Sequence, residues 1–84
     1  MPIKSEDSLS KRDPIDALIR DVAEELRMAR HLLRLTQAQV AARAEVSENT
    51  VYLAEQGRDI RLSSLLSIAG SLQVEIRLIR PKAA

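Results

Sequence analysis

Apolar side chains at Ile15, Leu18, Ile19, Val22, Leu26, Ala29 and Leu33 recur at spacings of three and four. That rhythm keeps one face of an α-helix apolar and predicts an amphipathic helix of about twenty residues. It starts at Asp13-Pro14, because Asp supplies an N-cap acceptor and Pro suits the first helical position, where no N–H is needed. The pattern then shortens. Val40, Ala41 and Ala44 give an inner face to a brief second helix, and Thr36 and Gln39 have the spacing of a capping box at its start. Glu45-Val46-Ser47 interrupts it, and Ser47 is the N-cap of a third helix that runs to about Gln56. Gly57 is placed to end that helix in the left-handed conformation. Leu62, Leu65, Leu66, Ile68, Ala69 and Leu72 predict a fourth helix, in which Gly70 marks a close helix contact or a tolerated weakness. From Val74 the period changes to two: Val74, Ile76 and Leu78 alternate with Glu75 and Arg77, a strand pattern that Pro81 ends.

The expected organisation is therefore a disordered, polar, Ser-rich tail over residues 1–12, a helical domain over 13–73, a strand over 74–80 and a short tail over 81–84. A strand needs a partner for its N–H and C=O groups, and the sequence has no second strand pattern. The economical partner is the same strand of another copy, paired antiparallel across a two-fold axis through Val74, Ile76 and Leu78. A frayed extended tail is the competing reading, but period-2 alternation has no use in a solvated tail. The sequence thus predicts a homodimer.

Composition narrows the function. The 84 residues suit one small domain. There is no Cys, and His31 is the only His, so no thiolate site, no metal site and no cofactor are expected. With no Gly-rich phosphate loop either, an enzyme has little support. No apolar run approaches a membrane span, and the polar N-terminus does not read as a secretory signal, so a cytoplasmic protein is expected. The net charge of +1 is unevenly spread: residues 1–25 hold four basic and seven acidic side chains, the remainder nine and five. Ten of the 13 basic residues are Arg, whose planar fork suits phosphate and base edges. A GC-rich genome would give the same bias.

Two short helices joined by a three- or four-residue turn and packed on a longer one make a helix-turn-helix. The second helix of such a pair can enter the major groove of DNA, while its neighbours supply stability. A structural helical hairpin has the same outline. LTQAQVAARAEVSENTVYLAEQG (residues 35–57) resembles the Xre/Cro-type helix-turn-helix of lambda-repressor-like proteins, through Leu35-Thr36-Gln37, Ala41, Val46-Ser47 and Glu55-Gln56-Gly57. The similarity covers about residues 15–73. It implies an all-α bundle of four to five short helices, here followed by the pairing strand. Three positions depart from the pattern. Glu45 stands where Gly is frequent, so a non-Gly residue has to accept positive φ; Ala54 replaces a larger apolar residue, thinning the packing; and Gln73 stands where Gly often ends the fourth helix.

The resemblance implies that Glu48, Asn49 and Leu53 meet base edges, with Thr50 and Tyr52 at the margin. Asn49 could pair with adenine, Leu53 could pack on a thymine methyl and Glu48 could accept from cytosine, unless it only favours the helix N-terminus. Gln37 and Ser47, at helix N-termini, and Arg43, Arg58 and Arg61, flanking the helix pair, are phosphate candidates; an ordinary solvated surface is the alternative for each. Arg30 and Glu55 correspond to a partly buried structural ion pair in related domains. A fourth helix followed at once by VEIRLIRPK looks like the small antitoxin regulators partnered with Hip-type kinase toxins. Such a protein would repress its own operon as a homodimer on a palindromic operator in double-stranded DNA, and hold its toxin. The alternative is a helical interaction module that holds a toxin or other partner without reading DNA.

Overall fold

The structure is a computed structural model that describes the backbone of residues 2–82 and the side chains of residues 14–82. It holds four helices: α1 (Pro2–Leu32), α2 (Gln37–Ala44), α3 (Glu48–Glu55) and α4 (Leu62–Ser71). The fold is all-helical, with no strand among the described residues. α1 does not begin at Asp13-Pro14 but continues through Pro14. Proline removes one backbone hydrogen bond inside a helix, yet its fixed φ lies in the helical range, so the chain can run on. The disordered tail expected over residues 1–12 falls where side chains lie outside the described residues.

All four helices terminate in the same way. At each end one residue takes a left-handed conformation: Arg34 (φ 58), Glu45 (φ 59), Gly57 (φ 72) and Gln73 (φ 61). The next N–H then reaches back over a full turn, Leu35 to the Arg30 carbonyl, Val46 to Ala41, Arg58 to Leu53 and Val74 to Ala69. This is the Schellman closure, which satisfies carbonyls that the helix end would leave open. Leu35, Val46 and Val74 each fold onto the core just after the turn. In α3 the residue at that place is Arg58, which is exposed.

Each helix sends one large side chain fully into the interior: Leu26, Val40, Val51 and Ile68. Ala41, Ala44, Ala54, Ala69 and Leu72 fill the space between them. Small residues let the short helices approach closely; α2 packs on both α3 and α4, and α1 packs on α3. Burying a side chain of the Leu26 class contributes about 1.5–3 kcal/mol. The expected inner face of α1 is buried only in its second half. Ile15, Leu18, Ile19 and Val22 are 57%, 63%, 38% and 39% exposed, because they face an open cleft with Ile60 and Leu65 on its other side. A methyl group added at Gly70 would meet nothing within 4 Å, so this glycine is a tolerated weakness on an exposed face and marks no close helix contact.

After α4, residues 74–82 form no hydrogen-bonded ladder. Val74 touches the core, whereas Leu78 is 99% exposed. A single chain has no second strand to offer, so the alternating segment stays extended.

Candidate nucleic-acid interface

The turn between α2 and α3 is built by Glu45, Val46 and Ser47. Glu45 adopts φ 59, ψ 45, the left-handed step that reverses the chain. At the start of α2 the Thr36 N–H donates to Gln39 Oε1 (2.8 Å) and the Gln39 N–H donates to Thr36 Oγ1 (3.1 Å), a reciprocal capping box. At the start of α3 the Thr50 N–H donates to Ser47 Oγ at 3.0 Å, and the Ser47 and Thr50 hydroxyls lie 2.8 Å apart. Both helices therefore start at fixed points, which sets the angle between them.

α3 spans eight residues, about 12 Å at 1.5 Å per residue. A helix about 10–12 Å across with its side chains fits a major groove about 12 Å wide. Its inner face is Val51, Ala54 and Glu55, all buried. Glu48, Asn49 and Tyr52 point outward, with Tyr52 45% exposed. Thr50 and Leu53 are half-buried and share one cleft with Ser47 and Arg61. The structure thus brings Ser47, Thr50, Leu53 and Arg61 together beside the start of α3. Arg43 lies exposed in the last turn of α2. Arg58 lines a separate cleft with Asp16, Ile19 and Arg20 of α1. The face is mixed in sign, since Glu45, Glu48 and Asp59 stand among these arginines. Glu48 occupies the first turn of α3, where a carboxylate is favoured by the helix dipole.

Glu55 anchors the helix from behind. Its side chain is only 2% exposed and accepts from Arg30 Nε at 2.6 Å and Nη2 at 3.0 Å. Gln37 Nε2 donates to the same carboxylate at 3.1 Å. Arg30 Nη1 also donates to the Leu35 carbonyl (2.9 Å), and Arg27 Nη1 donates to the Glu55 carbonyl (2.9 Å). α1, the start of α2 and the end of α3 are therefore tied through one residue. Burial alone would raise the Glu55 pKa, but the hydrogen bonds from Arg30 and Gln37 and the charges of Arg30 and Arg27 outweigh it, holding the carboxyl below its usual range. Its hydrogen bond to Glu55 leads the effects that raise the Arg30 pKa, against burial, which lowers it.

Two features differ from what the sequence leads one to expect. The Gln37 amide, a phosphate candidate, donates inward to the Glu55 carboxylate, because a buried carboxylate offers it a stronger acceptor than water. Arg27 joins the same network although the sequence reading does not bring it forward. It lies three residues before Arg30 on the same helix face, and that spacing is the available signal.

The arrangement offers hydrogen-bonding and apolar groups on the outer face of α3. No group of metal-ligating side chains occurs among the described residues, and no described helix is long and apolar enough to cross a membrane. No curated protein matches the chain. The profile of the helix-turn-helix domain, however, matches residues 21–75, well over half the sequence and the whole of α2, the turn, α3 and α4. The chain belongs to the helix-turn-helix domain family of DNA-binding proteins.

Proposed function

We propose that the chain is a sequence-specific transcriptional repressor that binds DNA as a homodimer. The observation that carries this reading is the division of α3: Val51, Ala54 and Glu55 are locked inside, leaving Glu48, Asn49 and Tyr52 on the outer face. On DNA, Asn49 pairs with a base edge, Leu53 and Thr50 meet the groove wall, and Glu48 accepts from cytosine or simply stabilises the helix start. Ser47, Arg43, Arg61 and Arg58 serve the phosphates, and Gln37 contributes its backbone N–H at the start of α2 while its side chain holds Glu55. The period-2 segment Val74, Ile76, Leu78 pairs with its copy across the two-fold axis. The pairing segment directly after α4 supports a role as the antitoxin and autoregulator of a toxin–antitoxin operon, with a Hip-type kinase as the toxin held.

Asn49→Ala tests the reading helix. Binding to the selected site should weaken by about 1–3 kcal/mol, with preference relaxed at one base pair. Equal loss on specific and random duplexes would remove Asn49 from base reading. Arg61→Ala should instead weaken all sequences alike and flatten the salt dependence.

A second reading has its own support: an interaction module that holds a toxin or other partner without reading DNA. The exposed apolar half of α1 and the carboxylates around α3 favour it. It predicts weak binding to any duplex and no effect of Asn49→Ala.

A further inference from the structure

Among the residues assigned to DNA, Arg58 alone lines the cleft that the apolar stripe of α1 forms. Ile15, Leu18, Ile19 and Val22 form one wall of a cleft of about 270 Å³, and Ile60 and Leu65 belong to its other side. The small Ala54 also lines it, so the thinned packing at that position opens onto this cleft. A contiguous apolar cleft of this kind marks an interaction site.

The same chain carries a segment of matching chemistry that its own domain leaves uncovered. Leu78 is 99% exposed and Ile79 84%. Around them stand Arg77, Arg80 and Lys82 against the single acid Glu75, which lies 3.4 Å from Arg77. The stretch of α1 that bears the stripe has the opposite sign, with Asp16, Asp21, Glu24 and Glu25 against Arg20. The two surfaces are also contiguous. Val74, Glu75 and Ile76 begin the segment in a shallow cleft that they share with Asp21, Val22, Glu25 and Leu26. Beyond Ile76 the segment does not fold back on its own stripe, as the exposure of Leu78 shows.

We propose that this cleft receives the C-terminal segment of a second copy of the chain. Leu78 of one copy seats among Leu18, Ile19 and Val22 of the other, and Arg77 and Arg80 lie over the α1 carboxylates. The contact is reciprocal, so each copy gives one segment and receives one, as a two-fold interface requires. The inference rests on the dimer proposed above and adds to it the surface on which the exchanged segments lie. Its charged part weakens as salt rises.

The absence of Cys makes the contact testable by single-cysteine cross-linking. Leu18→Cys and Leu78→Cys chains are mixed and oxidised, and the mass of the unoxidised protein is followed by sedimentation. A disulfide forms only when Cα atoms come within about 7 Å. The expected result is a dimer in which the 18–78 bridge between chains forms much faster than the 18–18 bridge. In parallel, Leu18→Glu, at a position 63% exposed and so neutral to folding, should raise the dimer dissociation constant about tenfold or more. A dimer that yields no 18–78 bridge would leave strand pairing intact and overturn the docking. A chain carrying both cysteines that bridges within itself would overturn it as well. A folded monomer would remove the docking and the dimer together, without touching DNA reading, which binding to a single half-site reports separately.

Discussion

Glu55 shows how much of this molecule depends on single residues, because its carboxylate holds three segments in register. Its pKa lies below the ordinary carboxylate range in the folded state. The stability it contributes is therefore fully present above that range and is lost as pH falls through the lowered folded value. Urea denaturation from neutral to acid pH should show this loss, and Glu55→Gln should flatten it. Arg30→Ala strands the buried carboxylate and should cost about 3 kcal/mol at neutral pH. A cost near zero would mean that Arg27 and Gln37 suffice. The left-handed caps offer a second test with a built-in control. Glu45 at φ 59 carries a steric penalty that glycine avoids. Glu45→Gly should then gain about 1 kcal/mol, and Gly57→Ala should lose about 1 kcal/mol. Two changes of the same sign would contradict this view of the caps.

Among the elements, α4 carries an avoidable weakness. Gly70 is exposed, helical and without neighbours within 4 Å of an added methyl group. Gly70→Ala should therefore stabilise the protein by about 0.5–1 kcal/mol in a thermal or urea melt; destabilisation would reveal a contact that a single chain lacks. α2 and α3 are legible in the sequence because their signals are local, and α4 is legible through its apolar period. Thr36 with Gln39, Ser47 with Thr50, and Gly57 act within four residues of the helix ends they define. Other features depend on distant neighbours and are not legible. The inward turn of Gln37 depends on where Glu55 is buried, 18 positions away. Arg27 reaches the end of α3 across 28 positions. The period of α1 is readable, but periodicity shows which face is apolar and not how much of it a neighbour covers. Ile15 and Leu18 share the rhythm of Leu26, yet only Leu26 is buried. The same limit applies after Val74, where the alternating segment stays extended and its pairing partner, under the proposed dimer, is a second chain.

For the molecule as a whole, the pieces left unsatisfied in one chain point the same way. Under the proposed dimer, another copy would satisfy the extended segment without a ladder, the uncovered apolar stripe and the opposite charges at the two ends of the sequence. Removing residues 74–84 should therefore give a monomer in sedimentation, and a dimer of unchanged affinity would end the strand-pairing proposal. Two reading helices related by a two-fold axis require half-sites with the same symmetry. The most direct measurement is selection of random duplex DNA by the purified full chain at physiological salt. An inverted repeat with half-site centres about one helical turn apart is the predicted outcome. A folded protein that enriches no sequence would contradict the repressor reading and leave the interaction module in its place.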